Sequence, residues 1–203
     1  MDQMVKQQSD TDHLAWMEMF GPLDFADKAI LDLGCGSGYL CENAVNKGAS
    51  LAVGIDIQKP KGLDGNPILW QFESLNLDSP DWGAKLSEKH NQFHQILAFD
   101  ILEHLRSPYD FLNNCLSLLA PNGQLFLTTP NTNSWERLMH PKDWSGVRDT
   151  QHKTLFSSYS LRFLLQKAGF ESIETKAPMR KLSFLGPLAP SIGGQILCRA
   201  KRQ

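Results

Sequence analysis

The sequence predicts an α/β fold, a doubly wound and mostly parallel sheet with helices on both faces. Short apolar runs typical of buried strands alternate with amphipathic helical patterns, and the connections between them are short. No internal repeat or low-complexity linker divides the 203 residues, of which 41% are hydrophobic and 21% are charged. A chain of this length can bury its own core, so we expect one domain over residues 1–203.

The first predicted elements surround a glycine-rich turn. The apolar run AILDL predicts strand one at 29–33, and apolar residues at helical spacing predict a helix over 39–47. Gly48 can end that helix, because glycine readily adopts the left-handed conformation that closes helices. The runs LAVGID (51–56) and ILWQF (68–72) predict strands two and three.

Strand four and the helix after it have the clearest signals in the middle of the chain. The segment 57–67 holds two prolines and two glycines, which argues against a full helix there, and 80–90 can supply the next helix. The run FHQILAF (93–99) predicts strand four. Ser107 and Pro108 are typical N-cap and first helical residues, so we predict that a helix begins at this point.

The remaining elements complete the predicted sheet. A PNG turn at 121–123 leads into strand five at 124–129. A serine cap followed by helical periodicity predicts a helix over 157–170, and the runs ESIET (171–175) and QILCRA (195–200) predict strands six and seven.

Three segments have no clear place in this sheet. Residues 1–27 are expected to be a helical N-terminal segment, in which 13–23 is either a lid or ordinary core. The stretch 131–151 lacks clear periodicity, and 176–193 includes an apolar, proline-rich run before strand seven. Long irregular loops at a ligand edge often form lids, so we expect both to be lid or acceptor loops, with a surface insertion and a simple bridge as the alternatives.

The turn DLGCGSG places Gly34, Gly36 and Gly38 between strand one and the first helix. Glycines there let a ligand approach backbone N–H groups at a helix start. Asp56 at the end of strand two can accept both ribose hydroxyls. The register departs from the dinucleotide motif GxGxxG, and Asp32 would repel a pyrophosphate but attract an ammonium group. The pattern therefore favours S-adenosylmethionine over NAD, with a structural turn and a surface acid as the plain alternative.

The chain resembles the class I S-adenosylmethionine-dependent methyltransferases over roughly residues 28–200. The matching stretches are ILDLGCGSG (30–38), VGID (53–56), 93–131 and 152–170. The EHL and PN motifs are similar to those of small single-domain enzymes, including the ubiquinone-biosynthesis O-methyltransferases. This resemblance implies the sheet order 3-2-1-4-5-7-6, with strand seven antiparallel.

The resemblance also implies a cofactor site on named residues. The three glycines pack against the methionyl portion of the cofactor, and Asp32 lies near its amino group. Asp56 binds the ribose and Ile57 flanks the adenine. Ala98 and Phe99, at the end of strand four, line the methionyl and methyl end.

One cofactor position departs from the family pattern. After strand three the family has an acid followed by an apolar residue, and here the best match is Asn76 followed by Leu77. The Asn76 carbonyl can still accept a hydrogen bond from the adenine amino group. Asp78 is the alternative equivalent of the family's acid.

Histidines are the natural candidates for removing a proton from a hydroxyl acceptor near neutral pH. His104 is either that base or a structural residue, and His152 is either a base or orders its loop. Asp100, Glu103 and His104 resemble a divalent-metal set of some relatives, but we expect no metal site. The other candidates, His13, His90 and His94, are expected to be surface or packing residues.

The amino-acid composition limits which partners and which cellular location we expect for the protein. The net charge of −2 and the short basic clusters argue against nucleic acid or an anionic membrane. No apolar run approaches about 18 residues, so no membrane span is expected. The N-terminus is too polar for a signal peptide, and the four cysteines form no CxxC pair, so we expect reduced, buried thiols in a cytoplasmic protein.

The leading functional hypothesis is methyl transfer from S-adenosylmethionine to a small-molecule acceptor at oxygen. A protein-directed methyltransferase and a non-catalytic cofactor-binding or regulatory protein remain the alternatives. The sequence leaves the acceptor open, because its pocket would lie in the segments with the least pattern, 131–151 and 176–193.

Overall fold

The computed structural model describes residues 12–60, 70–179 and 191–203, and these residues contain a seven-stranded sheet. The strands are β1 (Ala29–Leu33), β2 (Leu51–Asp56), β3 (Gln71–Ser74), β4 (Phe93–Phe99), β5 (Leu119–Pro130), β6 (Glu171–Lys176) and β7 (Gln195–Lys201). Their order is β3-β2-β1-β4-β5-β7-β6, and β7 runs antiparallel to both of its neighbours while the other pairs are parallel. The predicted fold class, order and antiparallel strand are confirmed.

Helices cover both faces of the sheet. They are α1 (12–18), α2 (Tyr39–Asn46), α3 (Trp82–Ser87), α4 (Pro108–Leu118), α5 (Trp135–Met139), α6 (Ser145–Arg148) and α7 (Ser158–Lys167), with a 3-10 turn at Leu102–His104. Alternate strand residues point to opposite faces, so two hydrophobic cores form. One core packs against α3, α4 and α7, and the other against α1 and α2.

Strands three and five differ from their predicted bounds. β3 begins at Gln71, whereas the prediction began at 68, and residues 61–69 lie outside the described ranges, as does most of the doubtful connection 57–67. β5 begins at Leu119 and includes the predicted turn at 121–123. Asn122 has a φ of 62°, and the register with β4 shifts between Phe93 and Gln95. The PNG sequence therefore forms an irregularity within the strand, as a bulge allows.

The stretch 131–151 is more ordered than its sequence suggests. It contains α5 and α6, of five and four residues, which are too short for helical periodicity to be recognised. Ser134 caps α5 by accepting a hydrogen bond from the Arg137 backbone N–H at 3.1 Å.

The N-terminal helix α1 is fixed to the far edge of the sheet. Lys176 of β6 donates to the Met19 carbonyl, and Arg199 of β7 donates to the Phe20 carbonyl at 2.7 Å. Cations at these carbonyls, just beyond the C-terminal end of α1, also favour the helix dipole.

The four cysteines are buried, as predicted, and none of them forms a disulfide. Within the described ranges, no helix combines the length and the apolar character that crossing a membrane requires.

Candidate active site

The glycine loop forms a cradle in which side chains do not fit. Gly34, Gly36 and Gly38 have φ values of 79°, 54° and 81°, in the left-handed region that favours glycine. A Cβ on Gly38 would lie 2.1 Å from the Trp70 ring, and one on Gly34 would lie 2.2 Å from the Ile101 side chain. Packing as well as backbone conformation therefore requires glycine at positions 34 and 38.

The loop uses its own backbone donors differently from the expectation. The Ile55 carbonyl accepts the N–H groups of Gly34 and Cys35 at 2.8 and 2.9 Å. The Gly36 N–H donates to Asp56 Oδ2 at 2.9 Å. These three N–H groups join the loop to the end of β2. They already donate within the protein, whereas the sequence had suggested that they could face a ligand.

Two carboxylates flank the glycine loop. Asp32 is buried at 3% exposure, and the Cys41 thiol lies 3.9 Å from its Oδ2. Burial and the neighbouring Asp32 charge raise the pKa of Cys41 well above its usual range. Asp56 is half-buried, and its Oδ1 accepts the Gln58 N–H at 3.2 Å. The acids predicted to bind the two ends of the cofactor thus lie on adjacent strand ends.

The predicted adenine-side residues lie at the ends of β2 and β3. Ile57 is 67% exposed, and the Ser74 hydroxyl donates to its carbonyl at 3.1 Å. Asn76 is exposed and Leu77 is half-buried. The Asn76 Oδ1 accepts the Asp78 N–H at 3.0 Å, and its second lone pair leaves this oxygen able to accept again.

Asp78 binds other parts of the protein. Its carboxylate accepts hydrogen bonds from the Arg106 N–H at 2.7 Å and from Lys153 Nζ at 2.8 Å. Burial opposes its ionisation, but these hydrogen bonds and the nearby positive charges lower its pKa. Asp78 connects the end of β3 to two other loops, which favours Asn76 as the cofactor-facing residue.

The end of β4 brings together the residues predicted for the methionyl end. Ala98 is buried, Phe99 is half-buried, and Asp100 has a φ of 52°. The Asp100 Oδ1 accepts hydrogen bonds from the Thr128 hydroxyl at 2.9 Å and from Gln195 Nε2 at 3.2 Å. The ends of β4, β5 and β7 therefore meet at this carboxylate.

His13 of α1 also reaches this strand end, which its sequence context does not reveal. The imidazole is buried at 6% exposure and stacks on Phe99 with ring centroids 4.5 Å apart. Its Nε2 lies 3.5 Å from Asp100 Oδ2. The rings of His13 and Trp16 pack edge-to-face with their centroids 5.2 Å apart. A surface or packing role was expected for His13, but its contacts with the end of β4 depend on how α1 docks on the sheet.

The two predicted catalytic histidines lie side by side. The rings of His104 and His152 are 4.6 Å apart in an edge-to-face arrangement. Burial, and then the neighbouring His152, lower the pKa of His104. His152 Nδ1 is 2.9 Å from the Gly146 carbonyl, which connects it to α6.

Glu103 lies beneath these histidines. It is buried at 1% exposure, and His152 Nε2 lies 4.0 Å from its Oε1. Burial, reinforced by the Asp100 charge, raises the pKa of Glu103 to about 8. Its carboxyl group is therefore largely protonated at neutral pH.

The same three side chains have the spacing of a possible metal set. Glu103, His104 and His152 offer ligand atoms that all lie within 4.8 Å of one another. Asp100, which the family resemblance groups with Glu103 and His104, is outside this cluster and is held by Thr128 and Gln195. The expectation of no metal stays a prediction.

A cavity of about 750 Å³ opens beside the start of β7. Its walls come from α1, from the stretch 131–151 and from the chain on either side of 180–190. The lining residues are Asp12, Trp16, Trp135, Glu136, Met139, His140, Pro178, Met179, Ile192, Gly193, Gly194, Gln195 and Leu197. Neither His104 nor His152 is among them.

A family model described as a methyltransferase domain matches residues 8–175. A tRNA U34 carboxymethyltransferase of Pseudoalteromonas translucida is 29% identical over 158 residues, which are 73% of this chain and 46% of that protein. A ubiquinone biosynthesis O-methyltransferase of Dechloromonas aromatica is 30% identical over 112 residues, which are 55% of this chain and 48% of that protein. The chain thus spans about half the length of these two curated relatives.

Solved structures of methyltransferases share the fold. A SAM-dependent methyltransferase from Archaeoglobus fulgidus has a TM-score of 0.68 and 16% identity, covering 93% of this chain and 92% of that one. One from Mesorhizobium loti has a TM-score of 0.63 and 19% identity, covering 93% and 96%. At these identities the likeness establishes the architecture.

The exclusion of nucleic acid as a partner is wrong. A tRNA U34 carboxymethyltransferase of Ectopseudomonas mendocina is 31% identical over 168 residues, so proteins named for tRNA are among the relatives of this chain. This chain covers 49% of that relative. Net charge misled the prediction because it is a sum over the whole chain and does not by itself exclude a nucleic-acid acceptor.

The cofactor fits the residues at the strand ends. The glycine loop lies between Asp32 and Asp56, which are placed where an ammonium group and a ribose would bind. With the family match over residues 8–175, these features make the chain a member of the S-adenosylmethionine-dependent methyltransferases, with S-adenosylmethionine as its cofactor.

Proposed function

We propose that the chain transfers the methyl group of S-adenosylmethionine to an oxygen atom of a small molecule bound in the 750 Å³ cavity. One observation carries this proposal. Gln195 lines the cavity and also donates to Asp100, the residue that follows Phe99 at the end of β4. The cavity therefore adjoins the residues assigned to the methyl end of the cofactor.

The chemistry of the cavity favours a largely apolar acceptor. Trp16, Trp135, Met139, Ile192 and Leu197 contribute apolar surface. The polar side chains of the lining are acidic, amide or imidazole, and the described lining includes no lysine or arginine to favour an anionic acceptor. Relatives named ubiquinone biosynthesis O-methyltransferase support oxygen as the methylated atom.

The role of the protein in the reaction is to hold the cofactor and to orient the acceptor towards its methyl group. The bound cofactor supplies an already activated methyl group. The glycine loop, Asp32 and Asp56 would hold it, while residues of α1 and α5 line the cavity proposed for the acceptor. His104 stays the predicted base: its lowered pKa keeps the imidazole neutral and able to accept a proton, and the acceptor would have to extend beyond the lining of the cavity to reach it.

We expect the protein to act in the cytoplasm. All four cysteines are buried and none forms a disulfide, which suits a reducing compartment.

A nucleic-acid acceptor is the second candidate, favoured by the relatives named tRNA U34 carboxymethyltransferase. Because this chain covers less than half of the Pseudoalteromonas protein, its acceptor contacts need not be the same.

Transfer of label separates the two candidates. The full chain is incubated with methyl-tritiated S-adenosylmethionine and either catechol, as a phenolic probe, or bulk tRNA. We expect label in the methylated phenol, whereas label in tRNA alone would establish the second candidate. Incorporation into neither probe would count against the proposed oxygen acceptor.

A variant of the cavity wall tests the acceptor site itself. Trp135→Ala should raise the KM for catechol without changing the affinity for S-adenosylhomocysteine, because Trp135 lines the cavity. Tyr159→Ala is the matched control, since Tyr159 is 81% exposed on α7 and is absent from the lining. Equal KM values for both variants would place the acceptor elsewhere.

A further inference from the structure

His13 is a buried polar side chain in need of a partner. Its exposure is 6%, and neither ring nitrogen has a hydrogen-bond partner among the described residues. Leaving a buried donor unsatisfied costs about 1–3 kcal/mol. Such a group close to a binding site suggests that a ligand supplies the missing partner.

The position of His13 places it over the cofactor site. Its ring stacks on Phe99, which lies two residues beyond Leu97 in β4, and Leu97 pairs in register with Asp32 of β1. The Ile101 side chain, just beyond the end of β4, packs where a Cβ of Gly34 would lie. The imidazole of His13 thus lies at the end of β4, the strand that pairs with β1 just before the glycine loop.

The tail of the cofactor has two charges on one carbon atom. If Asp32 accepts the ammonium group, the carboxylate must lie within a few ångströms of it. The acids Asp32, Asp56 and Asp100 all lie at these strand ends, so a carboxylate placed there requires a nearby donor. We propose that His13 donates an N–H to the carboxylate of the amino-acid tail of S-adenosylmethionine.

Asp100 holds the imidazole in position for this contact. Thr128 and Gln195 fix its Oδ1, which leaves Oδ2 at 3.5 Å from His13 Nε2. With Nε2–H facing Asp100, His13 can donate to the cofactor carboxylate through Nδ1 only as an imidazolium, the form in which both ring nitrogens are donors. Asp100 is therefore a positioning residue, and His13 contacts the cofactor.

The inference rests on cofactor use by this family and not on the acceptor. The proposed contact between His13 and the cofactor would remain valid if the acceptor were assigned incorrectly. Binding of cofactor analogues tests it without any acceptor.

Calorimetric titration with two ligands isolates the carboxylate. The ligands are S-adenosylhomocysteine and its decarboxylated analogue, which keeps the amine and lacks the carboxylate. His13→Phe keeps an aromatic ring on Phe99 and removes both ring nitrogens. We expect this variant to bind S-adenosylhomocysteine about tenfold or more weakly, as for loss of a hydrogen bond to a charged group, and to bind the analogue as the wild type does.

Two further variants separate the hydrogen bond from the docking of α1. Met17→Ala truncates another buried side chain of α1 and should change the affinities for both ligands by the same factor. His13→Gln returns an N–H donor and should recover part of the lost affinity for S-adenosylhomocysteine. Equal weakening of both ligands by His13→Phe, or no weakening of either, would overturn the proposal.

Discussion

Glycine at position 38 is required for two separate physical reasons. Its φ of 81° is unfavourable for residues with a Cβ, and the buried Trp70 ring occupies the space that a Cβ would enter. The second reason involves a residue 32 positions further along the chain, so it is not visible in the local sequence. A Gly38→Ala substitution therefore tests both the backbone strain and the packing at this loop.

Substitution of two glycines with similar backbone conformations separates these effects. Gly48 has a φ of 89° and its nearest prospective Cβ contact is at 3.6 Å, so Gly48→Ala should cost about 1–2 kcal/mol from strain alone. Gly38→Ala should lower the free energy of unfolding by a further 1–3 kcal/mol, roughly, because the ring must move. Urea unfolding measures both, and equal losses would show that Trp70 yields freely.

The predicted role of His104 as the general base can be tested by substituting this one residue. His104→Ala should reduce turnover of catechol about a hundredfold or more, as for loss of a general base. The affinity for S-adenosylhomocysteine should stay at the wild-type value. His94→Ala, at the opposite end of β4, is the control. Unchanged turnover in His104→Ala would leave this histidine with a structural role.

Among the elements, helix α7 shows how local sequence sets a boundary. The Ser157 hydroxyl accepts the Ser160 N–H at 3.1 Å, and the Ser160 hydroxyl accepts the Ser157 N–H at 3.0 Å. Each serine thereby satisfies a donor that the first turn of the helix leaves unpaired. The cap fixes where α7 begins and so how Leu161 and Leu165 enter the core.

Removal of this cap should be measurable. Ser157→Ala is expected to lower the free energy of unfolding by about 1 kcal/mol, the usual cost of a lost N-cap. Ser117→Ala removes only a hydroxyl that donates to the Asn114 carbonyl within α4, so it should change stability by less than about 0.5 kcal/mol. Urea unfolding of both variants provides the comparison, and similar losses would argue against a capping role for Ser157.

For the whole molecule, Glu103 couples stability to pH. Its pKa rises from an ordinary 4.5 to about 8, mainly through burial. Between these pH values the folded chain keeps a proton that the unfolded chain releases. The folded state then binds more protons, so stability falls as pH rises through this range and is lowest above the folded pKa.

A neutral replacement should remove this dependence. Glu103→Gln is expected to match the wild type near about pH 5 and to exceed it by a few kcal/mol, roughly, near pH 9. Glu88→Gln, on the exposed end of α3, should keep the wild-type pH profile. Urea unfolding with EDTA present measures the three profiles, and the same slope in Glu103→Gln would contradict the assignment.

The sequence by itself determined the strands, most helices and the glycine cradle with its two acids. These follow from local information: apolar periodicity, capping serines and glycines with positive φ. It could not reveal α5 and α6, which are shorter than the window in which periodicity appears. It also could not exclude nucleic acid from net charge alone.

Only the tertiary structure decided which distant residues meet at the ends of the strands. His13 reaches Phe99, Gln195 reaches Asp100, and Trp70 packs on Gly38. These contacts join segments far apart in the chain, and their geometry depends on how helices dock on the sheet. Local sequence specifies which face of an element is apolar, but the contacts across the site form only when those faces pack together.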